Sequence, residues 1–171
     1  MKPNLTDTLC THCGLCCDGS LFADVELVGT EEASALEILG LEIEDGETGG
    51  GLLLQPCVAL KDKRCGIYPH RPDCCRAFEC RLLRQVRSGV VTMDRAREKI
   101  AEALKRIERV RKLLARAGQG GERLPLKERC CEFLARSEEA DVDPRQRRKR
   151  DQLEAAMTSA ERLIQQTFLR G

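Results

Sequence analysis

From Asp94 to Ala117 apolar residues return at steps of three and four, at Ile100, Leu104, Ile107, Val110 and Leu114, and the positions between them are mostly charged. The spacing predicts one amphipathic helix ended by Gly118, roughly 36 Å long at about 1.5 Å per residue. Leu153, Met157, Ala160, Ile164 and Phe168 form a second stripe, opened by Asp143 as N-cap and Pro144 at the first helical position. Between the two stripes Pro125 can open a helix reaching about Arg136, which carries Cys130 and Cys131. Gly118-Gln119-Gly120-Gly121 reads as a linker, so the C-terminal half is expected to be a helical hairpin or small bundle.

The N-terminal half has no such period. Residues 1–9 read as a polar lead-in with little structure of their own. Leu21 to Val28 is rich enough in β-formers for a short strand, and Thr30, followed by Glu31 and Glu32, is a candidate N-cap for a helix through about Leu39 that stops at Gly40. Leu41 to Gly51 is acidic and glycine-rich and reads as a loop. Leu52 to Leu54 is a brief apolar run cut off by Pro56. Cys57 to Leu60 and Cys65 to Tyr68 flank the polar Lys61 to Arg64, which predicts a small hairpin with one cysteine on each arm. Pro69 and Pro72 exclude a regular helix there, and one from Cys74 through Arg87, stopping near Gly89, is expected. The fold class that follows is α+β: a small irregular module with short strands over residues 1–90, then a mainly helical extension over 91–171.

Composition changes this picture in two ways. Apolar residues make up 42% of the 171, but there is no Trp, one Tyr and four Phe, so the core must be aliphatic. The net charge of +1 conceals an opposition between halves: residues 1–80 carry 6 Lys and Arg against 14 Asp and Glu, and the remainder 23 against 14. Nine of the eleven cysteines fall in the acidic half. The start of the chain, M-K-P-N-L-T-D-T-L, has no apolar signal region, and no run approaches the ~18 apolar residues of a membrane span. A cytoplasmic protein with no membrane partner is expected, in a compartment where clustered thiols more often bind metal than form disulfides.

Cys10-Thr11-His12-Cys13-Gly14-Leu15-Cys16-Cys17 places four cysteines within eight residues. A buried thiol packs as a small apolar side chain, for which Ala or Val would serve, so this density points to ligand chemistry. The C-x2-C-x2-C spacing lets one loop aim three thiolates at a common centre, as in ferredoxin-type loops, and a C-x2-C pair is equally half of a tetrahedral zinc site. Adjacent Cys16 and Cys17 point apart on an extended chain, which favours a polynuclear cluster, a second site or a structural role for one of the two thiols. Cys57, Cys65, Cys74, Cys75 and Cys80 are enough to complete either arrangement, and Gly14, Gly19 and Gly66 let backbone N–H groups come close to sulfur.

Taken together, Cys10 to Cys17, Cys57, Cys65-Gly66-Ile67-Tyr68 and Arg71-Pro72-x-x-Cys75-Arg76-x-Phe78-x-Cys80 resemble the bacterial CxxCxxCC family, also called YkgJ-type cysteine cluster proteins, a zinc- or iron-chelating domain. The resemblance covers roughly residues 10 to 80 and implies Cys10, Cys13, Cys16, Cys17, Cys57, Cys65, Cys75 and Cys80 as metal ligands. Cys74, Cys130 and Cys131 fall outside its pattern. The same domain resembles part of flagellin lysine methylase, which implies an enzyme component as an alternative; a glycine-rich turn for a methyl donor and the radical C-x3-C-x2-C spacing are both absent from the chain.

Around this set, Arg71 and Arg76 are candidates to offset thiolate charge or donate hydrogen bonds to sulfur in a bound cofactor. Tyr68 and Phe78 are expected to pack over the site. His12 and His70 are not needed as ligands, and of Cys130 and Cys131, which point two ways round a helix, at most one can face a site. Arg145 to Arg150 is basic, yet interspersed glutamates and the scarcity of aromatic residues argue against a nucleic-acid partner. The expected function is metal binding by clustered thiolates, as an iron–sulfur cluster in preference to zinc, with a redox role open. The alternatives are an oxidoreductase or methylase component working with a protein partner, and a zinc-stabilised module for protein or nucleic-acid interaction.

Overall fold

In the computed structural model, residues 5–46, 50–119, 123–139 and 143–169 are described. The chain separates into two compact units, one ending at Glu79 and one beginning at Cys80. The architecture is α+β: short antiparallel strands and small helices in the first unit, helices in the second.

The first unit opens on helix α1, Leu5–Cys13. The expected lead-in is thus helical from Leu5, because Leu5 and Leu9 stand four apart and Leu9 is 3% exposed, enough to seat a short helix. Strand β1, Asp24–Glu26, leads to helix α2, Thr30–Ile38. Gly29, at φ 81°, takes the N-cap position expected for Thr30. A glycine offers no side-chain acceptor, and the Glu32 carboxylate instead reaches back to the Val28 N–H at 3.1 Å, one residue before the N-cap N–H that the glutamate of a capping box takes.

Part of the acidic segment read as a loop is a strand, β2, Ile43–Asp45, and Gly51–Leu54 forms β3. The sheet order is β1-β3-β2, both pairs antiparallel, with Leu53 set between Val25 and Ile43. Lone Ile43 among acidic neighbours is enough for an edge strand, since one face alone needs burial. Leu27, Leu36, Leu41 and Leu53, each no more than 5% exposed, make the core between sheet and α2. Gly51 belongs to that fit: a Cβ there would stand 2.5 Å from Ile43 Cγ2 and 3.2 Å from Ala33 Cβ. The Gly118–Gly121 linker lies partly outside the described residues.

Strands β4, Leu60–Lys61, and β5, Arg64–Cys65, form the expected hairpin in shorter form, turned by Asp62 and Lys63 at φ 46° and 66°. Positive φ at both turn positions matches the right-handed twist of the strands. Cys57 lies before the first arm, so only Cys65 is on the hairpin itself. After a single 3-10 turn, Tyr68–His70, comes helix α3, Asp73–Ala77. The continuous helix expected to Arg87 is interrupted: Phe78 is extended at ψ 122°, its ring meeting Phe22 edge to face at 5.1 Å.

The second unit begins with α4, Arg81–Arg87, whose N-cap is Cys80. Helix α5, Met93–Arg116, is capped by Thr92 and followed by Gly118 at φ 77°; α6 is Leu126–Glu139; α7 is Pro144–Ile164, capped by Asp143 and widened into a π turn at Gln165–Leu169. Ile100, Ile107, Val110 and Leu114 of the long stripe are 5% exposed or less, as are Leu153, Ala160, Ile164 and Phe168 of the last helix. Each large aliphatic side chain so buried contributes about 1.5–3 kcal/mol, which is what stabilises helices of otherwise charged composition. Arg106 joins α5 to α7 through the Ser159 carbonyl and hydroxyl at 3.1 and 3.2 Å.

Candidate metal centre

Cys10 and Cys13 are three residues apart on α1 and so share one face of a helix, where an open loop was expected. Gly14, at φ 71°, ends the helix, and the Cys17 N–H donates to the Gly14 carbonyl at 2.9 Å, folding Cys16 and Cys17 into the turn that follows. A Cβ on Gly14 would lie 3.2 Å from both Cα and Cβ of Lys63, so the end of α1 rests against the tip of the β4–β5 hairpin. Distant segments then join this turn. The Cys57 N–H donates to the Cys17 carbonyl at 2.8 Å, the Leu60 N–H to the Cys57 carbonyl at 2.9 Å, and the Gly66 N–H, beside Cys65, to the Ala59 carbonyl at 2.7 Å.

The electrostatics of the thiols identify Cys17 as the meeting point. Burial, and then the proximity of Cys57, Cys65, Asp18 and Cys10, push its pKa from 9.0 up to about 12. Cys75 is also pushed up to about 12, by burial first and then by Cys74, Cys17 and Cys57. Burial raises Cys57 too, against the pull of the Ala59 and Leu60 N–H groups and with Cys65 adding to the rise. Four other segments thus bring Cys10, Cys57, Cys65 and Cys75 within electrostatic reach of Cys17. Like charges so close resist ionisation, and a thiophilic cation in place of the protons removes that resistance.

All eleven cysteines are thiols, with none in a disulfide. Among the described residues, no three Cys, His, Asp or Glu side chains are already drawn together as a closed group for one ion. The donor chemistry nevertheless fits zinc or iron, since the converging side chains are sulfur and soft donors select such metals. Cys13 and Cys16 flank the same turn, half-buried. Cys80 belongs to the second unit, where its Sγ accepts from the Leu83 N–H at 3.4 Å. Burial raises its pKa while the Leu83 and Leu82 N–H groups and Arg84 draw it back.

Of the two arginines, Arg71 lays its guanidinium over the Tyr68 ring at 3.9 Å, and its Nε is buried with no hydrogen-bond partner among the described residues. Arg76 donates from Nε to the Arg71 carbonyl at 2.7 Å and faces Asp73 at 3.7 Å, its side chain half exposed. Phe78 packs on Phe22 and Tyr68 on Arg71, both partly open to solvent. His12 and His70 are exposed, His12 donating from Nδ1 to the Thr8 carbonyl at 2.9 Å. Cys130 is 1% exposed within the helical core and Cys131 faces solvent.

Two participants were not legible as such. Cys74 packs against the Leu27–Leu53 core and shares a hydrogen bond with the Cys75 side chain. Glu32 bonds to the first N–H of the helix that bears both cysteines, at 2.8 Å. Only long-range contact reveals either one; the sequence offered vicinal spacing for Cys74 and no signal for Glu32 beyond its place in a helix start.

Comparison with known proteins agrees with the donor chemistry. No curated protein and no solved structure matches the chain. Residues 9–88, which carry nine of the eleven cysteines, match the CxxCxxCC family, described as a "Putative zinc- or iron-chelating domain".

Proposed function

We propose that the first unit is a metal-binding module whose thiolates hold an iron–sulfur cluster in preference to zinc. The observation that carries the proposal is the set of thiols around Cys17. Cys10, Cys57 and Cys65 act on it directly, and Cys17 and Cys57 in turn raise Cys75 in the next segment. Cys13 at the end of α1 and Cys16 in the turn after it bring the first unit's share of the family pattern to seven thiols. Seven is more than one tetrahedral ion can use, which supports a polynuclear group or two ions. A bound cluster would supply one-electron chemistry, and bound zinc a structural cross-link.

The chain's own contribution is to collect thiols from α1, the turn after it, the Cys57 segment, the hairpin and α3. Arg71, with a buried and unpartnered Nε–H and a permanent charge, is suited to donate toward a sulfur-rich anion, and Arg76 steadies the Arg71 backbone. Reduced thiols are a condition of this reading, as they are in the cytoplasm.

Anaerobic purification with metal and acid-labile sulfide analysis, together with a visible spectrum, tests it. Brown protein containing iron and sulfide is the expected result. Colourless protein with two zinc ions per chain would replace the cluster by two tetrahedral sites, and protein that takes up neither metal would remove the proposal.

A further inference from the structure

The helix that presents Cys75 is too short to hold itself. It has five residues, well below the ~12–15 at which an isolated helix becomes marginal in water. Its N-cap position is Pro72, which has no side chain to accept from the open N–H groups and makes no side-chain cap. The missing acceptor comes from 41 residues earlier, where Glu32 Oε1 accepts from the Asp73 N–H at 2.8 Å. The other oxygen of the same carboxylate accepts from the Val28 N–H at 3.1 Å. One carboxylate therefore fastens the first helical residue of α3 to the entry of α2.

The fastening decides which cysteine is presented. Consecutive side chains on a helix are about 100° apart, so a single rotation of α3 sets both. In the rotation observed, Cys74 is partly buried against the cluster of Leu27, Leu36, Leu41 and Leu53, and Cys75 is the one within reach of Cys17 and Cys57. We infer that Glu32 is a positioning residue for the thiol site: by tying the Asp73 N–H it fixes the rotation of α3 that turns Cys75 toward Cys17 and keeps Cys74 in the apolar core. The inference rests on the metal-binding reading for its consequence, and on the hydrogen bonds alone for its geometry.

Two measurements separate these. In protein stripped of metal, thiol alkylation mapped by mass spectrometry reports the rotation of α3 without reference to any ion. Glu32→Ala is expected to raise the labelling rate of Cys74 about 10-fold or more, toward that of exposed Cys131, while Glu32→Gln, which keeps one oxygen acceptor, restores most of the protection. In zinc-loaded protein, Glu32→Ala is expected to speed zinc loss to a chromophoric chelator by about 10- to 100-fold, the usual effect of removing a group that orients a ligand. Because Glu32→Ala also opens the start of α2, Asp73→Pro is the second variant. It deletes the N–H at a first helical position that proline tolerates, together with the carboxylate facing Arg76, which Asp73→Ala removes alone, and Pro72 already has the φ −54°, ψ 152° required before a proline.

Asp73→Pro should reproduce both effects, Asp73→Ala, which retains the N–H, neither, and the Glu32→Ala, Asp73→Pro double variant should add nothing to either single one. Unchanged Cys74 labelling in Glu32→Ala and Asp73→Pro would overturn the inference. Wild-type protein that binds no zinc or iron, with the labelling pattern as expected, would overturn the metal reading and leave the positioning role standing.

Discussion

Metal uptake at the thiol site should remain strongly pH-dependent far into the alkaline range. An ordinary thiol loses its proton near 9.0, and above that pH it no longer makes metal binding more favourable. Cys17 and Cys75 keep their protons to about 12. Each must still surrender one on ligation, so each adds a tenfold gain in affinity per pH unit between about 9.5 and 11. The two together give about a hundredfold per unit, or ~2.7 kcal/mol. The same displacement acts on folding with the opposite sense. A thiol whose pKa rises on folding stabilises the metal-free fold fully below pH 9, and that contribution is lost as pH climbs toward 12. The assay is competition for zinc against a chelator of known pH dependence, read from pH 7 to 11 in the wild type, Cys17→Ser and Cys75→Ser. The slope of log affinity against pH above 9.5 is expected to be at least two in the wild type, since Cys57 is raised as well, and about one lower in each variant. A wild-type slope near zero in that window would refute the argument, since it would mean that no ligand thiol is held protonated by its surroundings.

Other outcomes follow from single positions. Gly14→Ala places a side chain at φ 71° and 3.2 Å from Lys63 Cα, and is expected to cost about 1–2 kcal/mol by urea unfolding and to lower metal content by displacing the hairpin tip. Ile107→Ala, at a fully buried position of α5, should cost about 2–5 kcal/mol in the same assay and leave metal stoichiometry unchanged. Cys130→Ser buries a hydroxyl in an apolar core and should lose about 1–3 kcal/mol, whereas Cys131→Ser on the solvent face should be within ~0.5 kcal/mol of wild type; neither should alter bound metal.

What could be read in advance depended on whether a residue's role is set by its neighbours in sequence. The stripes of α5 and α7 were legible because 3.6-residue periodicity and helix stops are local, and Ile100, Ile107, Val110 and Leu114 are buried as their spacing demands, with Leu104 half-buried. The Asp143–Pro144 start was legible for the same reason. Helix α1 was hidden because its apolar face is only Leu5 and Leu9, and its next residues were counted as ligands in a loop. Strand β2 was hidden because Glu42-Ile43-Glu44-Asp45 is acidic, and only pairing with β3 makes it a strand. The interruption at Phe78 depends on Phe22, 56 positions earlier, and the cap on α3 depends on Glu32. Spacing alone pointed to ligand chemistry; it was silent on Cys17 as the thiol that Cys10, Cys57, Cys65 and Cys75 approach.

The order of the sheet has a consequence for synthesis. Its central strand, β3, is the last of the three to be made, so neither β1 nor β2 has a partner until Leu54 has left the ribosome. Cys57, Cys65 and Cys75 follow later still. At about 5–20 residues per second, the roughly forty residues from Cys17 to Cys57 take about 2–8 s to make. Throughout that interval the early thiols are exposed to cellular oxidants and to stray metal without the partners that later surround them. Correct loading is therefore a late event in the life of the nascent chain, and conditions that slow translation through this stretch should raise the yield of oxidised or wrongly metallated protein.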